Sequence, residues 1–496
     1  MTQFIESFFD DNTSGFKLWS KKITDIRLNN SDILFKGFLQ KINRKNNKLK
    51  ERYFILTKNQ LFYLKSDKNN KIRGVMETEW VRVEFLNDEN EKDKQYCIRF
   101  IRNMKYCDFY AKNEESLKEW RTNLAKVFIQ SDFHEKFNAI KMIGKGSFAR
   151  VYLVEDKATK SKFAVKAFSK EYLLSQAKGK ESLMNEIRIM QAIKNDYIMN
   201  LEELHESKNS IYLILELLEG GELFNYISSK NSISINDINR TMRCLLEALA
   251  YLSDRGIMHR DLKPENMILK TKNKLEDGTL KIVDFGLATF VDVPEYLFKR
   301  CGTPGYVAPE IINAPSNENI KYTPKCDVFS AGIIFYILIT GRSPFDGKSF
   351  QEILNQNKVC RIDFKNPKLH KFPHLISLLQ KMLEVNPNNR YSARECLNHS
   401  FFKDDEQDSG EEIEDEEMLL NNLKEFNNNK ILNQNPDESS FVVNNGVHIN
   451  GNTDTVNDSN SQGGIDSFKN MGKQKRASNA KRESIYKYVL TKEAQK

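Results

Sequence analysis

The string "HRDLKPEN" (259–266) brings Arg260, Lys263, two carboxylates and a carboxamide together within eight residues, and "DFG" follows with Asp284. Oxygen donors such as Asn266 and Asp284 suit a hard divalent cation, and lysines suit a phosphate-like anion. In that chemistry Asp261 accepts the proton of a substrate hydroxyl and Lys263 neutralises a phosphoryl group in transfer. Asn266 and Asp284 hold magnesium. Upstream, "FAVK" closes an apolar strand with Lys166, and Glu186 in "MNEIRIM" lies twenty residues on within a helical pattern, suited to pair with it. "IGKGSFARV" has the spacing of a glycine-rich strand-turn-strand over nucleotide phosphates, across Ile143, Gly144, Lys145, Gly146, Ser147, Phe148, Ala149, Arg150 and Val151. Gly144 and Gly146 let backbone N–H groups approach an anion, whereas Ala149 stands where a third glycine is usual.

Further on, "APE" contains Glu310, matched by Arg390 in "NPNNRYSA" as an ion-pair partner, and Asp327 in "CDVFSAG" is placed to brace the catalytic loop. These strings occur in one fixed order over about 265 residues, and on them the chain resembles the eukaryotic serine/threonine protein kinase family. "YLILELLEGGELF", "GTPGYVAPE" and "PFDGKSFQEIL" are most similar to its calcium/calmodulin-dependent kinase-like group. The resemblance implies a bilobal α+β fold over 137–402, ATP and Mg2+ as cofactors, and transfer to Ser or Thr hydroxyls of proteins. It also implies Leu215 as gatekeeper and backbone groups of Glu216 and Leu218 for adenine. Glu222 and Glu265 stand where basophilic members meet an arginine upstream of the target residue. The activation segment departs from the pattern, because Lys299 occupies the place of the usual phosphorylated threonine before "CGTP". Arg260 would ordinarily clamp that phosphate, so the loop is expected to be competent without it. The rival reading, a scaffold with a catalytically dead kinase fold, conflicts with the intact Lys166, Asp261, Asn266 and Asp284.

Elements that position these residues fall into units. Residues 33–130 read as short β-branched and aromatic runs closed by one helix, with Leu117, Trp120, Leu124 and Val127 at helical spacing behind an Asn113 cap. That is a β-barrel or sandwich capped by a C-terminal helix, and it resembles a pleckstrin homology domain, with Trp120 at that family's characteristic tryptophan. Lys41, Lys50 and Arg52 match the first-hairpin pattern that grips inositol phosphates in lipid-binding members, which implies peripheral recruitment to phosphoinositides. An N-terminal extension (1–32), a linker (131–136) and a tail (403–496) complete the multidomain chain.

The tail opens with ten acidic residues in the fourteen of "DDEQDSGEEIEDEE" and ends basic, a composition expected to be largely disordered. One patch within it, 416–432, has helical spacing at Leu420, Leu423 and Ile431 with Phe426 alongside. It resembles the junction segment of calcium-dependent protein kinases but lacks the basic face of a calmodulin target, so calmodulin is not an expected partner. Ser478 and Ser484 sit behind basic residues as candidate autophosphorylation sites. The net charge of +8 over 496 residues gives no argument for nucleic acid, and the 7 scattered cysteines read as reduced thiols of a cytoplasmic protein. The longest apolar run, "VFSAGIIFYILIT", is too short to span a bilayer and reads as a buried helix.

Overall fold

The computed structural model describes residues 6–11, 16–20, 32–43, 46, 48–68, 71–87, 94–146, 148–229, 234–271, 280–314, 321–403, 412–432, 441–444 and 447–449. Seven antiparallel strands form the first unit. Ile33–Ile42, Leu49–Thr57, Gln60–Leu64 and Ile72–Glu77 make one meander, and Arg82–Asn87, Tyr96–Arg102 and Lys105–Tyr110 make a second. Gln40 pairs with Tyr110 to join them. The helix Glu114–Leu124 starts at Asn113, whose side chain accepts the Ser116 N–H at 2.9 Å. It drives Trp120 and Leu124 into a core with Phe54, Leu61, Ile98, Phe100 and Phe109. Gly37 is required there, since a Cβ would press on the Trp120 ring at 3.2 Å.

The second unit is bilobal. Its small lobe has the strands Phe137–Lys145, Ala149–Asp156, Lys162–Ser169, Leu201–Glu206 and Ser210–Glu216, with the helix Gly179–Ala192. The large lobe is built around the helices Ile235–Asp254 and Lys325–Thr340. The latter contains the long apolar run and is buried on every side, as its uniform composition requires. Among the described residues no helix is long and apolar enough to cross a membrane.

The two units share one sheet. Ile129–Gln130 pairs in parallel with Arg82–Val83 on one side and with Leu204–His205 on the other, so the strands run continuously from the first unit into the small lobe. Residues 131–136 include the helical turn Phe133–Lys136, whose Phe133 is buried and stacks on Tyr212 with ring centroids 3.8 Å apart. Phe8 and Phe9 of the extension and Trp80 of the first unit belong to the core of the second. The hydrophobic contact graph therefore crosses the boundary that composition suggests.

In the tail, Glu412–Leu432 is a helix docked on the large lobe, with Leu419, Leu420 and Leu423 buried. Asn422 Nδ2 donates to Ile339 O at 2.6 Å, and Phe426 meets Phe224 edge-on at 5.6 Å. Gly341 ends the Lys325–Thr340 helix at φ 70°, and a Cβ there would collide with the Asn422 backbone. Its docking buries three leucines at i, i+1 and i+4, which offsets part of the ordering entropy that the acidic composition leaves uncompensated. The side chain of Ile431 and the serines Ser478 and Ser484 lie outside the described residues.

Candidate active site

Lys166 leaves the middle strand of the small lobe, and its Nζ donates to Glu186 at 2.7 Å and to Asp284 at 3.2 Å. Burial works to lower the pKa of Lys166, but the carboxylates of Asp284 and Glu186 overcome it and hold the ammonium above its ordinary value. Burial likewise works to raise Asp284, yet Lys166 pulls its carboxyl below the usual range. A strand, a helix and the "DFG" turn thus converge on one cation.

The catalytic loop is built on a buried carboxylate. Asp327 Oδ2 and Oδ1 accept the backbone N–H groups of His259 and Arg260 at 2.7 and 2.8 Å, which fixes Arg260 at φ 65°. Phe285 packs behind the loop against His259, with centroids 5.0 Å apart. Thr303 Oγ1 donates to Asp261 Oδ1 at 2.6 Å, and Lys263 Nζ donates to Thr303 at 3.1 Å while standing 3.4 Å from Asp261 Oδ2. A hydroxyl already occupies the neighbourhood where a substrate hydroxyl would lose its proton. Asn266 Nδ2 donates to Asp261 O at 2.9 Å, which leaves its oxygen as the arm suited to a cation. Glu310 and Arg390 make a two-pronged ion pair at 2.7 and 2.9 Å beneath the segment.

The glycine-rich turn joins Phe137–Lys145 to Ala149–Asp156, with Gly144 opposite Val151 and Lys145 opposite Arg150. Gly146 N–H closes the turn by donating to Ala149 O at 2.8 Å, while Ile143 and Val151 are buried beneath and Phe148 is exposed. Ser147 lies outside the described residues. Leu215 and Leu218 are buried along the connection between the lobes. The Glu216 side chain turns away to Lys281 at 2.9 Å and to the Asn200 N–H at 2.7 Å. Glu222 is buried and accepts from Asn225 at 3.1 Å; its strand adjoins the 3-10 turn Pro264–Asn266 that presents the half-buried Glu265.

Arg260 is held by the activation segment itself. Its Nε donates to Leu287 O at 2.9 Å and its Nη1 to Phe298 O at 2.7 Å, so backbone carbonyls of the activation segment accept from the guanidinium. Lys299 pairs with Glu295 at 3.0 Å, and Tyr322 OH donates to Lys299 O at 2.7 Å. Glu295, four residues back, thus pairs with the Lys299 ammonium within the segment. Beyond it, the tail strand Phe441–Asn444 pairs antiparallel with Arg300–Gly302, adding a strand to the segment itself. Phe8 and Phe9, at the other end of the chain, enter the core of the small lobe. The paired aromatics of "ESFFDD" were the available signal.

On the first unit, Lys41 and Lys50 are directly opposite in the first hairpin, and Arg52 follows on the same face two residues along. Lys41 Nζ lies over the Tyr63 and Phe109 rings at 5.2 and 5.6 Å, and Arg52 Nη1 donates to Glu51 O at 2.8 Å. Like charges facing each other across a ladder destabilise it unless an anion intervenes.

The protein kinase domain family matches residues 137–402, more than half of the chain, and the PH domain family matches residues 33–127. Calcium-dependent protein kinase 4 of Plasmodium berghei is 32% identical over 370 residues, covering 70% of this chain and 67% of its own. "Probable serine/threonine-protein kinase fhkC" of Dictyostelium discoideum is 33% identical over 294 residues, 59% of this chain and 49% of its own. A "Probable myosin light chain kinase" of the same organism is 37% identical over 271 residues, 54% of this chain and 83% of its own. The chain belongs to the protein kinase family, as a serine/threonine kinase with a PH domain ahead of its catalytic unit.

Proposed function

We propose that this kinase transfers the terminal phosphoryl group of ATP to Ser or Thr hydroxyls that follow basic residues, at membranes bearing phosphoinositides. The observation that carries the proposal is the convergence of Asp261, Lys263 and Thr303 within hydrogen-bond reach, beside the Lys166, Glu186 and Asp284 cluster. Asp261 orients the incoming hydroxyl and accepts its proton, and Lys263 stabilises the negative charge that develops beside it. Lys166, kept charged by Glu186, anchors the nucleotide phosphates, under the turn that runs from Gly144 to Phe148. The oxygens of Asp284 and Asn266 form a hard donor set that suits Mg2+, which when bound supplies charge neutralisation for the phosphates. Leu215 bounds the adenine side of the cleft, with the Glu216 and Leu218 backbone alongside. With the full chain, radiolabelled ATP and a basic peptide, Lys166→Met is expected to lower the rate about 100-fold or more. Equal rates for variant and wild type would sink the assignment.

Substrate choice follows from Glu222 and Glu265, two carboxylates on adjoining elements at the edge of the cleft. A peptide array should show arginine enriched at the third position upstream of the target, and Glu222→Gln should weaken that enrichment several-fold. A flat profile in the wild type removes the basophilic reading while leaving the kinase assignment intact.

Lys41, Lys50 and Arg52 present three cations to one headgroup. Each contributes about 1 kcal/mol near an anionic surface, roughly fivefold in affinity. Sedimentation with phosphoinositide vesicles is expected to fall by that factor or more for Lys41→Ala and for Arg52→Ala. Unchanged sedimentation in both variants, or none in the wild type, rules the headgroup site out.

The occupied Arg260 supports activity without a phosphorylated segment. Phosphatase-treated protein should retain its peptide turnover within about twofold, whereas loss of turnover would show that the segment depends on phosphorylation.

A further inference from the structure

Helix Gly179–Ala192 holds Glu186 against Lys166, and its own N-terminus contributes little to keeping it there. It begins after Lys178 at φ 63° without a side-chain cap, and fourteen residues are marginal for a helix in water, so its position depends on packing. Residues from outside the kinase unit touch part of its outward face. Lys180, Met184 and Arg188 recur at spacing four on that face, and Glu186 lies about 200° around the axis from Met184. At one end, Lys180 Nζ sits 5.3 Å over the Phe8 ring and donates to Asp10 O at 3.4 Å. At the other, two turns on, the Arg188 guanidinium lies 5.3 Å over the Trp80 ring and its Nε meets Glu79 at 2.6 Å. Phe9 closes the gap between them by stacking on Trp80, with centroids 4.7 Å apart and planes within 2°.

Two anchors hold the covering segment. Glu206, 3% exposed at the end of a small-lobe strand, accepts the Phe8 N–H at 2.6 Å and the Ser7 hydroxyl at 2.7 Å. On the PH side, the Asn103 N–H donates to Asp10 at 2.7 Å, and the Asn103 carboxamide exchanges hydrogen bonds with Asp11 at 3.1 and 2.6 Å. Trp80 itself is held at φ 57°, a left-handed conformation that a bulky residue adopts only when its surroundings impose it.

We propose that Phe8, Phe9 and Trp80 are positioning residues for phosphoryl transfer: together they clamp the Gly179–Ala192 helix where Glu186 can meet Lys166. The inference rests on the catalytic roles given to that ion pair, and it makes the extension and the PH domain parts of the catalytic unit's small lobe. The test uses the full chain with Phe8→Ala and Phe9→Ala combined, read by amide hydrogen exchange and by turnover of a basic peptide. Exchange across 179–192 should accelerate about tenfold or more while 235–254 is unchanged. The kcat should fall about 10- to 100-fold, with the KM for the peptide within about twofold, because a misplaced helix affects the phosphates rather than the peptide. A synthetic peptide spanning residues 1–16, added in trans, should restore both readouts, and the same peptide with alanine at positions 8 and 9 should not. Trp80→Phe, which keeps a stacking ring, should stay within a few-fold of wild type. Unchanged exchange over 179–192, faster exchange with full kcat, or failure of the peptide to rescue would each overturn the clamp. An inactive wild type whose helix still loosens in the double variant would instead refute the catalytic assignment and leave the clamp standing.

Discussion

The 2.7 Å ion pair between Lys166 and Glu186 joins a strand to a helix that no backbone hydrogen bond connects to it, and the rest of the small lobe is arranged to keep it. Both groups are buried, so each depends on the other: a lone charge in that place would cost several kcal/mol. Asp284 completes the cluster from the large lobe, which ties the relative position of the lobes to the same cation. Buried charge of this kind does little for stability and much for specificity of arrangement, since few geometries satisfy all three groups at once.

The same logic extends outward. The helix bearing Glu186 is supported on its far face by Phe8, Phe9 and Trp80, and the strand Ile129–Gln130 bonds the PH sheet to the kinase sheet on both edges. Main-chain hydrogen bonds and a shared core make a stiffer junction than a linker of six residues would. The PH domain is thereby joined to the small lobe through one continuous sheet.

In the large lobe the constraint is Asp327. Its two carboxylate oxygens accept the backbone N–H groups of His259 and Arg260, and the Arg260 guanidinium in turn donates to carbonyls of the activation segment. The Lys299 and Glu295 pair and the tail strand Phe441–Asn444 further define a segment that many kinases leave to phosphorylation.

Much of this was legible in the chain. Lys166, Glu186, Asp261, Lys263, Asn266 and Asp284 could be singled out from local strings, and the fold brings them to one place. Period-two and period-3.6 patterns likewise marked the strands of the PH unit and the helix that carries Trp120. The partner of Lys299 also lay nearby in sequence, as Glu295 four residues before it. Contacts between segments far apart in the chain carry no such local mark. Phe8 lies 198 residues from the Glu206 that receives its N–H, and two adjacent phenylalanines near a terminus have no periodicity to show what they cover. The tail helix reads as acidic and weakly apolar until Leu419, Leu420 and Leu423 meet the large lobe. Residue chemistry by itself determined what reaction this protein can run; only tertiary structure decided which distant segments hold the catalytic helix in place, because burial and stacking depend on what the fold brings alongside.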